Sequence, residues 1–149
     1  MPLVDEVSAA IAEAMRKKDA ARLSALRMLK AAFMNKGVEK GRDLDDAEAR
    51  QVVSALVKQR KDSIDQFVKG GRQELADKEA AEILVLEAYL PPAADPAAID
   101  QAVADAIAET GATSPKDMGR VMKAAMARLA GQNVDGKTVN ELVRRKLGA

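Results

Sequence analysis

The sequence predicts an all-α protein, an N-terminal body of four helices followed by a C-terminal module of three, and three observations carry that reading. The chain is rich in the strong helix formers Ala, Leu, Glu, Lys, Arg, Gln and Met, and aromatic residues make up only 2% of it. Apolar residues recur at three- and four-residue spacing in successive runs. Each run is bounded by a capping residue, a glycine or a proline placed where helices begin and end. No sheet is expected.

Taken in order, Leu3, Val7, Ile11, Ala14 and Met15 mark a first amphipathic helix that ends near Lys17 and Lys18. Asp19 caps a second, with Leu23, Leu26, Leu29 and Phe33 on its apolar side, and the two are expected to pair antiparallel. The segment NKGVEKGRD, from Asn35 to Asp43, is read as the break after it because it carries two glycines. Asp45 as N-cap, acids in the first turn and Glu48 three residues on predict a capping box. The helix it opens carries Val53, Leu56, Val57, Ile64 and Phe67 and stops at Gly70 and Gly71. A fourth helix uses Leu75, Ile83, Leu86 and Leu90, and Pro91 with Pro92 ends it.

The closely spaced prolines of PPAADP stiffen the chain and remove backbone donors, which makes this segment the best boundary available. The expected division is an N-terminal helical domain over 1–90, a proline-rich linker over 91–96 and a three-helix tail domain over 97–149. Asp95 and Pro96 start the fifth helix, with Ile99, Val103 and Ile107 on one side and Gly111 closing it. Ser114 as N-cap, Pro115 at the first helical position and Asp117 three residues after the cap predict the start of the sixth. Met118, Val121, Met122, Ala125, Met126 and Leu129 form its apolar face, and Gly131 stops it. Asp135 and Gly136 make a turn or cap, and Val139, Leu142, Val143 and Leu147 mark the seventh helix.

Charge is segregated along this plan. The chain nets only +1, yet from Gly111 onward there are eight Lys or Arg against three Asp or Glu. Arg16 to Arg72 holds fifteen basic and eight acidic residues, whereas Gln73 to Thr110 holds one basic residue, Lys78, and nine acidic ones. Either this acidic belt docks against a basic part or it repels anions and confines them to the two ends.

Composition also limits the chemistry. With no cysteine and no histidine, disulfides, thiolate chemistry and the usual zinc sites are excluded, along with the commonest acid-base side chain near neutral pH. Carboxylates lie singly on polar faces and offer no acid-base pair, and GVEKGRD lacks the spacing of a Walker phosphate loop. No catalytic residue, metal site or cofactor is expected. The acidic N-terminus and the lack of a long apolar run suggest a cytoplasmic protein with no membrane association.

Binding residues are easier to nominate. Lys116, Arg120 and Lys123, opposite the apolar seam of the sixth helix and spaced by four and three residues, stack along one side, and Lys137 and Arg144 add to them from the seventh. Such a stripe can engage phosphates, each neutralised phosphate releasing counterions, although the polar faces of soluble helices are also commonly charged. The only aromatic residues, Phe33, Phe67 and Tyr89, sit at or near apolar stripes, so stacking on a single strand has little to use and folded RNA is the fitting target. Arg60 falls where the third helix's apolar stripe should continue. An anion contact is one reading, and an ion pair with Glu79 or Glu82 of the fourth helix is the favoured one. The helix start at Ser114 and Pro115 could hold an anion, a role Asp117 is expected to fill itself.

The run DMGRVMKAAM, then Gly131, then DGKTVNELVRRKL, resembles the GatB/YqeY tail, the C-terminal module of the B subunit of tRNA-dependent amidotransferases. LSALRMLKAAF from Leu23, LVKQRKDSIDQF from Leu56 and EILVLEAYLPP from Glu82 are similar to stand-alone YqeY-like proteins, so the resemblance covers nearly the whole chain. It implies an all-helical protein whose tail contacts the outer corner of tRNA, and a family label of carbon-nitrogen ligase with glutamine as amido donor. It does not extend to the phosphorylating core of the B subunit or to the amidase of its partner. Carried over by position, the RNA-facing residues are Lys116, Arg120, Lys123, Lys137 and Arg144, while Met118, Gly119, Val121, Met122, Val139 and Leu142 read as packing. The expected function is a monomeric, non-catalytic tRNA-binding accessory module, with an amidotransferase or an aminoacyl-tRNA synthetase as a further partner. A protein-interaction adaptor and a component of a glutamine-dependent ligase are the alternatives.

Overall fold

The computed structural model describes residues 1–148 and forms two compact units, Met1–Leu90 and Pro91 onward. Seven α-helices and one short 3₁₀ turn account for the regular structure of the described residues, which contain no strand. In the first unit, α1 (Leu3–Arg16) buries Leu3, Val7, Ala10 and Ala14, a four-three-four spacing that places all four on one side. Lys17 to Asp19 turn the chain into α2 (Ala20–Lys40), whose first turn is capped by the Asp19 carboxylate accepting from the Arg22 N–H.

The glycine-based break expected from Asn35 lies further on. Gly37 is inside α2, and the stop is Gly41, whose φ of +72° only glycine adopts readily. The Arg42 N–H reaches back to the Gly37 carbonyl at 3.1 Å and the Gly41 N–H to that of Val38 at 3.2 Å, so the last carbonyls of the helix find donors. A β-carbon at Gly37 would stand 3.2 Å from the Arg42 carbonyl oxygen, so this glycine leaves room for the chain to fold back.

α3 (Asp46–Lys69) opens with the capping box: the Asp45 carboxylate accepts from the Glu48 N–H at 2.8 Å and the Glu48 carboxylate accepts from the Asp45 N–H at 3.1 Å. The Asp46 carboxylate accepts from the Leu3 N–H at 2.9 Å, which ties the start of α1 to the start of α3. α4 (Gln73–Glu87) follows the Gly70–Gly71 turn and packs along α3 and α2. Val7, Leu26, Leu29, Phe33, Val53, Val57, Ile83 and Leu86 form the core, each larger side chain contributing roughly 1.5–3 kcal/mol by leaving water.

Arg60 enters this core and keeps 5% of its surface exposed. Its Nε donates to Glu82 at 3.0 Å and lies 3.7 Å from Glu79, so the helix-helix ion pair is what occupies the apolar stripe.

In the second unit, α5 (Pro96–Thr110) starts at Asp95, whose carboxylate accepts from the Ala97 N–H, and ends at Gly111. The start expected at Ser114 is different in kind. Pro115–Asp117 form a 3₁₀ turn, Ser114 makes no side-chain cap, and α6 runs from Met118 to Arg128. α7 (Gly136–Lys146) is capped by Asp135 accepting from the Lys137 N–H. Ile99, Val103, Ala106, Val121, Leu129, Val139, Val143 and Leu147 close a core of their own.

The proline segment is not a bare connector. The Asn133 amide donates to the Pro91 carbonyl at 2.8 Å and the Ala94 N–H donates to the Asn133 carbonyl at 2.9 Å, so the segment is stitched to the turn between α6 and α7.

Candidate nucleic-acid interface

α6 reaches its place by burying Val121, Ala125 and Leu129, and the four-residue spacing of those three turns the opposite side of the helix to solvent. On that side stand Lys116, at the 3₁₀ turn, then Arg120 and Lys123, all exposed. Arg120 is partly occupied: its guanidinium donates to the Asp117 carboxylate, which also accepts from the Thr113 N–H at 3.1 Å. Arg120, and then the Thr113 N–H, hold the Asp117 carboxyl below the usual carboxylate range. Asp117 therefore steadies the entry to α6 rather than filling the free donors of its first turn. Lys116 and Lys123 make no ion pair or hydrogen bond among the described residues.

α7 contributes a weaker set. Lys137 and Arg144 are seven residues apart and share one side of that helix, but Glu141, exposed between them at i+4 and i−3, offsets their charge. The five nominated residues therefore fall in two sets, Lys116, Arg120 and Lys123 on and beside α6 and Lys137 and Arg144 on α7, and the α6 set is the more strongly positive.

Of the three remaining tail cations, Arg128 and Lys146 are paired. Arg128 lies 3.0 Å from Glu109 and 3.9 Å from Asp105, and Lys146 lies 3.1 Å from Asp100. All three acids are on α5, so this half of the acidic belt clamps α6 and α7 to α5. The other half does the same in the first unit through Glu79 and Glu82 on Arg60. Spacing could not separate Arg128 and Lys146 from Lys116 and Lys123, because only the position of α5 decides which are consumed.

Gly119 differs from its expected role. Met118, Val121, Met122, Val139 and Leu142 do join the core of this unit, but Gly119 is exposed, and a β-carbon there would meet nothing within 4 Å.

Other concavities lie in the first unit. A groove of about 620 Å³ is lined by Pro2, Val4, Phe33, Met34, Val38 and Leu44, among others, and Met34 and Val38 are 62% and 82% exposed at its rim. Among the described residues no cluster of three or more acidic, Cys or His side chains could hold a metal ion, and no helix is long and apolar enough to cross a membrane.

A sequence model of the Yqey-like protein family matches residues 4–147. Curated relatives carry the name "Altered inheritance of mitochondria protein 41, mitochondrial". One from Lachancea thermotolerans is 36% identical over 69% of this chain and 57% of its own length. One from Kluyveromyces lactis is 42% identical over 52% of this chain and 42% of its own. A more distant one, from Pyrenophora tritici-repentis, is 26% identical over 99% of this chain and 82% of its own. The chain thus spans about half the length of the first two. These relatives overturn the cytoplasmic expectation, since each is named as mitochondrial. That expectation rested on charge and hydropathy, which report on crossing a bilayer and not on the compartment.

Proposed function

The chain belongs to the Yqey-like protein family, and on that footing we propose that it is a non-catalytic RNA-binding module that holds folded tRNA and serves a tRNA-modifying or tRNA-amidating system. One observation carries the reading. The outer side of α6 presents Lys116 and Lys123 without carboxylate partners among the described residues, beside Arg120, while neighbouring cations are spent on α5. A surface that leaves cations unpaired beside one that pairs them concentrates positive potential on the α6 side, which suits an external anion.

The test is fluorescence-anisotropy binding of tRNA across a salt series, with total and mitochondrial tRNA as probes. Engagement of four or five phosphates gives a log-log slope of roughly −3 to −4. A variant carrying Lys116→Glu, Arg120→Glu and Lys123→Glu should not bind. Binding that ignores salt, or a variant that binds like the parent, sinks the proposal.

A second reading, a protein-interaction adaptor, is favoured by the apolar groove at Met34 and Val38. It predicts a partner that stays bound after ribonuclease treatment and is lost when Met34 and Val38 are changed to Ser and Thr.

A further inference from the structure

We infer that Gly119 is bare so that the sugar-phosphate backbone of the bound RNA can lie directly against α6, with Lys116, Arg120 and Lys123 closing on the phosphates around it. The inference rests on the RNA-binding reading above and assigns its point of closest approach.

Glycine inside a helix costs about 1 kcal/mol relative to alanine, so its presence needs a reason. The usual reasons are absent at this position. Gly119 is not among the positive-φ residues, unlike Gly41, Gly71, Gly111 and Gly131, which end helices or turn the chain. Nor does it make room for the protein's own backbone, as Gly37 does for the Arg42 carbonyl. Gly136 shares the open space, but it is the first residue of α7, directly after the Asp135 N-cap and at the fraying end of the helix. Gly119 follows a complete 3₁₀ turn and lies within a continuous helical path.

Its neighbours on the surface are the candidate ligands. Residues three and four apart share a helix side, so Lys116 (i−3) and Lys123 (i+4) flank Gly119, with Arg120 adjacent. Further along the same side comes Ala127, also exposed. The outer strip of α6 therefore sets three long cations among two residues carrying at most one side-chain carbon. Low relief between long donors suits a polyanion pressed close to the helix, where the donors can wrap it from both sides. A long residue at 119 would stand between Lys116 and Lys123 and hold the backbone off.

Gly119→Gln is the test, because glutamine is a good helix former and changes no charge. Its melting temperature is expected to equal or exceed that of the parent, while affinity for total tRNA falls roughly tenfold or more, with Gly119→Ala in between. If Gly119→Gln binds like the parent while the triple charge reversal abolishes binding, the inference fails and the RNA-binding reading stands. If the parent itself does not bind tRNA, both fall. A variant that melts below the parent also overturns the inference, since the glycine would then serve the fold.

Discussion

Arg60 Nε lies 3.0 Å from Glu82 Oε2 where α3 and α4 pack, and the arginine keeps only 5% of its surface exposed. A buried ion pair of this kind costs much to desolvate and contributes little net stability, but breaking it leaves a charge stranded. Glu82→Ala is therefore expected to destabilise the first unit by about 3 kcal/mol. Glu79, at 3.7 Å and more exposed, should matter less when replaced. Urea unfolding followed by circular dichroism checks both, and equal effects would mean that the two carboxylates share the arginine.

Glu48 joins the corner between α2 and α3. Arg42 bonds it first, then Lys40, then the Asp45 N–H, and together they hold its carboxyl well below its usual 4.5. A folded-state value depressed in this way adds stability at pH above about 4.5, and that stability is lost as the pH falls toward the folded value. Wild type should melt higher than Glu48→Gln at pH 7, and the gap should close on acidification below pH 4. A gap that stays constant with pH would remove the charge from the explanation.

Asp117→Asn tests how Arg120 is shared. Removing the carboxylate frees the guanidinium and deletes a negative charge beside the α6 strip, so tRNA affinity should rise and the salt slope should steepen by roughly one. The entry to α6 should loosen at the same time, because the bond to the Thr113 N–H weakens. Unchanged or weaker binding would show that Asp117 positions Arg120 rather than competing for it.

The two cores predict separable unfolding. Leu26→Ala and Leu129→Ala each delete a fully or nearly fully buried side chain, at a cost of about 2–5 kcal/mol. If residues 1–90 and the tail are independent domains, hydrogen exchange should show each variant speeding exchange in its own unit alone. Acceleration in both would make the chain a single cooperative body.

Much of this was readable from local chemistry. Asp45 and Glu48 announce a capping box because both partners lie within four residues of each other, and the structure makes both bonds. Leu26, Leu29 and Phe33 show their buried side through spacing alone. What failed depended on context. Gly37 and Gly41 look alike in sequence, and only the returning bond from Arg42 tells which ends α2. Ser114, Pro115 and Asp117 carry the residues of a helix cap, yet the Ser114 side chain makes no cap bond, while the Asp117 carboxylate accepts from the Thr113 N–H and pairs with Arg120. Gly119 resembled a packing glycine because the motif around it packs. Its surroundings could be known only once the space beyond the backbone was seen to be open.

The clamp between α5 and its two neighbours bears on how a polyanion would arrive. From Pro91 onward the chain carries eight Lys or Arg against seven Asp or Glu, so this unit has almost no monopole to attract RNA from afar. What it has is a lopsided distribution: the α5 acids quench Arg128 and Lys146, and the α6 strip remains positive. Such a field fades within a Debye length, about 8 Å at physiological salt. Capture would then be a short-range event that depends on which side faces the ligand, slow for arbitrary polyanions and productive only for one whose shape brings phosphates to that strip.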